Sequence, residues 1–357
     1  MPRPRPLGEF AAIARLQQIF DGHRTRHRAA QPSASRSEAR SAVELGIGDD
    51  AAVLKLKARF VWTVDTSVEH VHFERHWLSL GDIGWRSFQA AASDVCAMAG
   101  VPTAALSSVI FPRGFSAREL SELARGQRDA ARALGCRIIG GNLARGAELS
   151  VTTTVIGEAT RPILRSGAKL GDELWLCGEL GLAAAGLRWL QRGASARSAA
   201  ARRALAAFRR PRAELAAGLS LQRRAHALID VSDGLCGDAA HLAHESGVRV
   251  VLSTPLVEAA LSPALRALAP ELGVPALELA LYGGEDYALL AAGPRRARPK
   301  GARVIGFIAA GEGVWLSSTL PGSQGPSANA GPPLVRARIG FEHALGAGGR
   351  SVRPVRR

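Results

Sequence analysis

The 357-residue chain is short of lysine: only four of its 46 basic residues are Lys, at positions 55, 57, 169 and 300. It has no G-x-x-x-x-G-K-[ST] loop, no protein-kinase catalytic loop and no G-x-S-x-G elbow, which excludes a lysine-based phosphate loop and an elbow-type serine nucleophile. Cysteine is scarce too. Cys96, Cys136, Cys177 and Cys236 stand alone among small or apolar neighbours, with no CxxC pair. That excludes a zinc knuckle or a disulfide framework and fits small core residues in a reducing cytoplasm. No apolar run approaches the roughly 20 residues of a membrane span. Met1–Pro6 lacks the apolar core of a signal peptide. Aromatic residues are few, and none interleave with basic ones as a single-strand stacking platform would require.

What is abundant is arginine, and the formal net charge is +15. The surplus is local. Residues 1–40 carry +5, 190–224 carry +8, 292–303 carry +5 and 345–357 carry +4, so the remainder of the chain is −7. Basic charge thus lies in spacers and ends, while the motif-bearing segments are acidic. The Arg-over-Lys skew beside abundant Ala and Gly fits coding bias. With no helix-turn-helix or RRM signature, no specific nucleic-acid partner is expected, only loose attraction to polyanions.

The length and a 47% hydrophobic composition suit two domains of about 150–180 residues. Gly8–Phe20 patterns as an amphipathic helix, and residues 21–42 as a flexible Arg/Ser/Ala-rich insert. Strands are expected at 53–56, 60–64, 103–111, 136–139 and 149–158, and helices at 82–99 and from a Ser116/Glu119 capping box to Gly135. A boundary is expected near 159–171. Beyond it the pattern predicts a strand at 173–177, helices at 182–191 and 235–246, Arg-rich helix broken at Pro211, and strands at 227–229, 248–252, 304–308 and 314–317. Residues 345–357 read as a frayed basic tail.

Carboxylates recur at the edges of apolar runs. Gly46-Ile47-Gly48-Asp49-Asp50 is either a solvated turn or a hard-metal site. Asp65-Thr66, expected at a strand end, is either a ligand contact or a turn cap. Asp94 sits in an Ala-rich helix and needs water, a partner or a metal if that face packs. Gly140-Gly141 is expected at a strand end, where backbone amides can approach an anion. Asp230-Val231-Ser232-Asp233-Gly234 precedes a helix N-terminus, and Gly283-Gly284-Glu285-Asp286 precedes a strand. His70 and His72, read on a strand, share a face, but no third ligand stands near them. Carboxylates repel phosphates directly but bind Mg²⁺, which binds phosphates. The pattern therefore asks for a nucleotide site with several Mg²⁺ ions, in which joining two polyanions is the main difficulty.

These residues carry a resemblance. Glu44–Asp50, Val64-Asp65-Thr66, Ser93-Asp94 with Ala97-Met98, Gly140-Gly141, Arg165-Ser166-Gly167-Ala168, Asp230–Leu235 and Gly283–Tyr287, in that order, resemble the thiamine-monophosphate kinase family of the aminoimidazole ribonucleotide synthetase and selenophosphate synthetase superfamily. The likeness runs from Gly8 to Phe341. It implies an α/β (α+β) two-domain fold of the PurM type, with an N-terminal dimerising α/β domain at 1–160 and a C-terminal α/β domain at 161–344. It implies ATP-dependent conversion of thiamine monophosphate to thiamine diphosphate in a cytoplasmic homodimer. On this likeness Asp50, Thr63, Asp65, Asp94, Asp230 and Asp233 would hold Mg²⁺. Gly141, Asn142, Arg165 and Ser232 would contact ATP, and His72, Glu285 and Phe341 the thiamine phosphate. Asp50, Asp65, Asp94, Asp233 and Arg165 would form the catalytic set.

Three positions depart from the family pattern. Asn142 stands where the family has an Asp, Ala91 where it has Asn, and Val64 where it has Thr. The loss of one acidic ligand implies a weakened Mg²⁺ site, which Asn142→Asp is expected to repair. Two alternatives stay open: a divergent enzyme of the superfamily with another acceptor, and a weakly active nucleotide-binding paralogue.

Overall fold

The computed structural model describes residues 15, 18–20, 43–45, 53–54, 59–320 and 334–337. The expected Gly8–Phe20 helix lies mostly outside these residues; those of it that are described, 15 and 18–20, are helical. The 21–42 insert, Asp50, Phe341 and the 345–357 tail also lie outside them.

Two sheets organise the rest. Val43–Leu45 (β1) and Val53–Leu54 (β2) form a small separate ladder. The first main sheet has four strands: Phe60–Val68 (β3), Val101–Phe111 (β4), Arg137–Arg145 (β5) and Ser150–Glu158 (β6). Their order is β3-β6-β4-β5, antiparallel except for the β4/β5 pair. Helices Leu80–Ala97 (α1) and Ala117–Ala133 (α2) cover one face. Ser79 caps α1, and the Ser116/Glu119 capping box starts α2 as its sequence predicts. The two helices meet through glycines: a Cβ at Gly84 would strike the Leu123 carbonyl, and one at Gly126 the Gly81 carbonyl. A third close approach, Gly218 against the Cys96 carbonyl, brings the short helix of residues 215–221 onto the far side of α1.

The second sheet has seven strands among the described residues. They are Glu173–Cys177 (β7), Ala227–Val231 (β8), Arg249–Ser253 (β9), Ala288–Gly293 (β10), Arg303–Ala309 (β11), Gly313–Ser317 (β12) and Leu334–Arg336 (β13). The order is β13-β12-β9-β11-β7-β10-β8, with only β12 and β9 parallel. Its central strands are apolar on both faces because both faces are covered. Leu174 and Leu176 of β7 face a core built with helices of the second half, while Trp175 and Cys177 face Ala97 and Ala99 at the end of α1. Likewise Ile229 faces the helical core and Leu228 the α1 side. Asp230 shares the parity of Leu228 and so points at α1.

Four expectations change. Asp65 and Thr66 lie inside β3, which continues to Val68, and are not at a strand end. Gly140 and Gly141 lie inside β5, where a Cβ at Gly141 would strike the Ser107 carbonyl of β4; the glycines permit strand contact and do not form an open anion loop. Asp230 is in β8, not beyond it. His70 and His72 are in a turn. His70, with φ +67°, pairs with Glu74, and His72 Nδ1 accepts the Val68 N–H at 3.1 Å, so they present no shared strand face. All four cysteines are free and buried, as expected.

Candidate active site

Helix α1 delivers the site from between the sheets. Successive residues on a helix point about 100° apart, and Ser93 and Asp94 use this to reach both ways. Asp94 accepts a hydrogen bond from Thr63 Oγ1 on β3 at 2.6 Å. Ser93 Oγ donates to Asp230 Oδ2 on β8 at 2.6 Å, joining residues 137 positions apart.

Burial raises the pKa of the carboxylates around this junction, and neighbouring carboxylate charges add to the rise. Burial, then the Asp94 charge, pushes Asp230 up to about 7, against the Ser93 hydrogen bond and the Arg165 charge. Burial raises Asp94 as well; Asp65 adds to it, while Thr63 and Arg165 oppose it. Asp65 is raised chiefly by burial, with Glu285 and Asp233 adding to the rise, and His72 and the Thr66 amide opposing it. Behind the Asp230–Asp233 turn, burial and then Asp230 and Asp233 push Asp238 up to about 8; its carboxylate accepts the Asp233 N–H at 3.0 Å. Asp65, Asp94, Asp230 and Asp233 therefore share one field, with exposed Arg165 as the cation that reaches Asp94 and Asp230.

Among the described residues, no three His, Cys, Asp or Glu side chains close on one point as a ready-made metal cage. The donor set still fits a hard cation. All its members are oxygen ligands, and their repulsion is what a divalent ion relieves. Mg²⁺ is commonly held by one or two carboxylates plus substrate phosphates and water, without a full protein cage.

Next to the acids is a small, partly open cavity of about 30 Å³, lined by Asp65, Ser67, His72, Phe73, Ile83, Arg86, Ala90, Glu285 and Tyr287. It has room for about two waters, too little for a whole substrate. The Glu285 side of the cavity is built by a pinned loop. The Glu285 and Tyr287 amides donate to the Ser232 and Val231 carbonyls at 2.7 and 2.8 Å, tying this loop to the Asp230–Asp233 turn. A Cβ at Gly284 would strike the Ser232 carbonyl. Glu285 and Tyr287 take φ +65° and +51°, a conformation that costs about 1–3 kcal/mol per non-glycine residue. Asp286, between them, turns away. Its carboxylate accepts the Gly181 and Ala183 amides at 2.7 and 3.3 Å and caps the helix Leu182–Gln191.

Thus Thr63, Asp65, Asp94, Asp230 and Asp233 gather with Arg165 nearby, and Asp65, His72 and Glu285 line one cavity. Ser232 is in the same turn. Gly141 and Asn142 do not join them within the described residues. Gly141 is in register with Asp65 through Ser107 and Thr153, three strand spacings or about 14 Å away. Asn142 is on the opposite face, paired with Ser108. Ala91 is buried in the core of the first sheet, and Val64 is exposed on its outer face. Sequence reasoning missed Arg86, Tyr287 and Asp238. Arg86 left a signal: a charge within the buried face of an Ala-rich helix, two turns before Asp94.

Residues 48–159 match the AIR synthase related protein, N-terminal domain. The chain is 37% identical over 312 residues to the thiamine-monophosphate kinase of Mycobacterium tuberculosis, covering 86% of both chains. The chain belongs to the thiamine-monophosphate kinase family. Another member, from Aquifex aeolicus, is 33% identical over 274 residues, 76% of this chain and 88% of that one. The fold agrees: the structure of AaThiL complexed with AMPPCP and TMP superposes with a TM-score of 0.70 at 29% identity, covering 88% of this chain and 95% of that one. Two-domain PurM-type architecture is therefore the fold of this family member.

Proposed function

We propose that this protein transfers the γ-phosphoryl group of ATP to the phosphate of thiamine monophosphate, forming thiamine diphosphate and ADP. The observation that carries the reading is the Ser93-Asp94 junction. It brings carboxylates of both sheets together beside a cavity that contains Glu285 and His72. Family membership and the likeness to a relative complexed with AMPPCP and TMP supply the substrates.

An acceptor phosphate oxygen attacks the γ-phosphorus in line, so no strong general base is needed; the task is to position and neutralise two polyanions. Mg²⁺, when bound, would supply the positive charge that lets phosphates rest beside carboxylates. Asp50, Thr63, Asp65, Asp94, Asp230 and Asp233 are the proposed ligands. Arg165 offsets charge at the phosphates, and Ser232 contacts the nucleotide; Gly141 and Asn142, three strands from Asp65 and on the opposite face respectively, are left out of this set. Glu285 faces the cationic thiazolium beside His72, and family likeness adds Phe341 as an acceptor contact. Val64 faces away from the acids on the outer face of the first sheet, which favours an active enzyme over a weakly active paralogue.

A homodimer fits the first sheet. On its outer face Phe60, Trp62 and Val64 are 53%, 64% and 62% exposed along one edge strand, and Leu106 and Ile110 extend the apolar surface across it. A second copy would cover this face, with residues 1–160 as the pairing domain and the cytoplasm as the compartment. Trp62→Glu should then give a monomer by sedimentation; an unchanged mass rules out this face.

The direct test is ATP and thiamine monophosphate with Mg²⁺, followed by chromatography for thiamine diphosphate. No product under any divalent ion refutes the proposal.

A further inference from the structure

We propose that Arg86 is a positioning residue for the acceptor pocket, orienting the Glu285 carboxylate; this rests on the reading of Glu285 as the contact for the acceptor's cation. Arg86 is on α1 in the first half of the chain and is 6% exposed. It lines the cavity with Asp65 and Glu285, and its two hydrogen bonds leave the acid cluster aside. Its Nη1 donates to the Phe208 carbonyl and its Nη2 to Glu285 Oε1, and its Cζ is 4.4 Å from the centroid of the Phe208 ring. The guanidinium is therefore held by a carbonyl, a carboxylate and an aromatic face, all from the second half of the chain.

Glu285 needs such a holder. Its backbone is in the left-handed region, and its charge lies close enough to Asp65 to raise that residue's pKa. Without a cation, repulsion from Asp65 and the pull of water would turn the carboxylate out of the cavity. Arg86 opposes both by binding one oxygen, Oε1, while Oε2 is left to meet a ligand. The planar fork serves two acceptors at fixed angles while stacked on Phe208, which a lysine ammonium cannot reproduce. Arg86 is not expected to touch the transferred phosphate. Its influence passes through Glu285 and belongs in acceptor binding.

The test compares Arg86→Met, Arg86→Lys, Glu285→Gln and the Arg86→Met/Glu285→Gln double variant in the full chain. Arg86→Met should raise KM for thiamine monophosphate about tenfold or more, the scale of a lost charged hydrogen bond. KM for ATP should move by less than about twofold, since the hydrogen bonds of Arg86 go to Phe208 and Glu285, and Glu285 is read as an acceptor contact. Arg86→Lys should rescue part of the loss. In the Glu285→Gln background Arg86→Met should add less than about twofold, because a residue acting through another shows strong coupling in a double-mutant cycle. Melting curves and AMPPCP binding establish that each variant is folded. If Arg86→Met does not fold, Arg86→Lys alone must still raise KM for thiamine monophosphate severalfold. A folded Arg86→Met or Arg86→Lys with unchanged acceptor KM, or additive effects in the cycle, overturns the assignment while leaving an active wild type unexplained only at this residue. A wild type that forms no thiamine diphosphate overturns this inference together with the function it rests on.

Discussion

Two turns of one helix separate Arg86 from Asp94, about 12 Å along the axis, and the two ends of that interval are built differently. At the Arg86 end, cation and anion are matched: the guanidinium has Glu285, a carbonyl and a ring. At the Asp94 end, carboxylates outnumber cations, and burial with mutual repulsion pushes Asp230 up to about 7. The matched end is fixed by the chain itself and suits orientation. The unmatched end holds unspent attraction for positive charge and suits a cation-dependent reaction. The glycine contacts at Gly84, Gly126 and Gly218 hold α1 between its neighbours so that both ends keep their place.

The comparison can be broken by mutation. The largest effect is expected at the unmatched end. Asp94→Asn should lower kcat at least about a hundredfold while the fold survives, as expected for a charge used in the transition state. Steady-state kinetics beside a melting curve would show it, and a loss below tenfold would remove Asp94 from the machinery. Next is stability without metal. Asp230 has a folded-state pKa above its unfolded value, so its ionisation disfavours the fold. Its contribution is best below about pH 4 and is lost as pH rises toward about 7. In EDTA at pH 8, Asp230→Asn should therefore melt higher than wild type, by about 1 kcal/mol or more in stability. Below about pH 4 the gain should vanish; equal melting at both pH values would deny the crowding.

Smaller effects test the edges of the contrast. Asp286→Ala should cost about 1 kcal/mol, the worth of a helix cap, as read by chemical denaturation. It should spare acceptor KM more than Glu285→Gln does. Asn142→Asp should change the Mg²⁺ requirement by less than about twofold, because Asn142 lies on the other face of the sheet from Asp65. A larger gain in a Mg²⁺ titration would bring the outer face into the site and restore the idea that a missing ligand limits the enzyme.

Much of the fold was legible. The helices at 182–191 and 235–246, the strand at 173–177 and the capping box at Ser116 follow from periodicity and local capping chemistry. The acid-rich motifs were also legible as a group, through their order along the chain. Their division of labour was not. Glu285 and Asp286 are adjacent and alike in sequence, yet one lines a cavity and the other caps a helix 105 positions away. The two histidines look alike as well, and a local turn sends one to Glu74 and the other to the cavity.

By itself the sequence determined the elements, the free cysteines, the recurrence of carboxylates and the family, because these depend on residue type and short spacings. Only the tertiary structure decided which carboxylates meet, that Asp230 and Leu228 face α1, that Asn142 faces outward, and that Arg86 reaches Glu285. Those facts depend on parity within packed strands and on contacts between residues more than a hundred positions apart, where burial and charge are set by neighbours that local spacing does not specify.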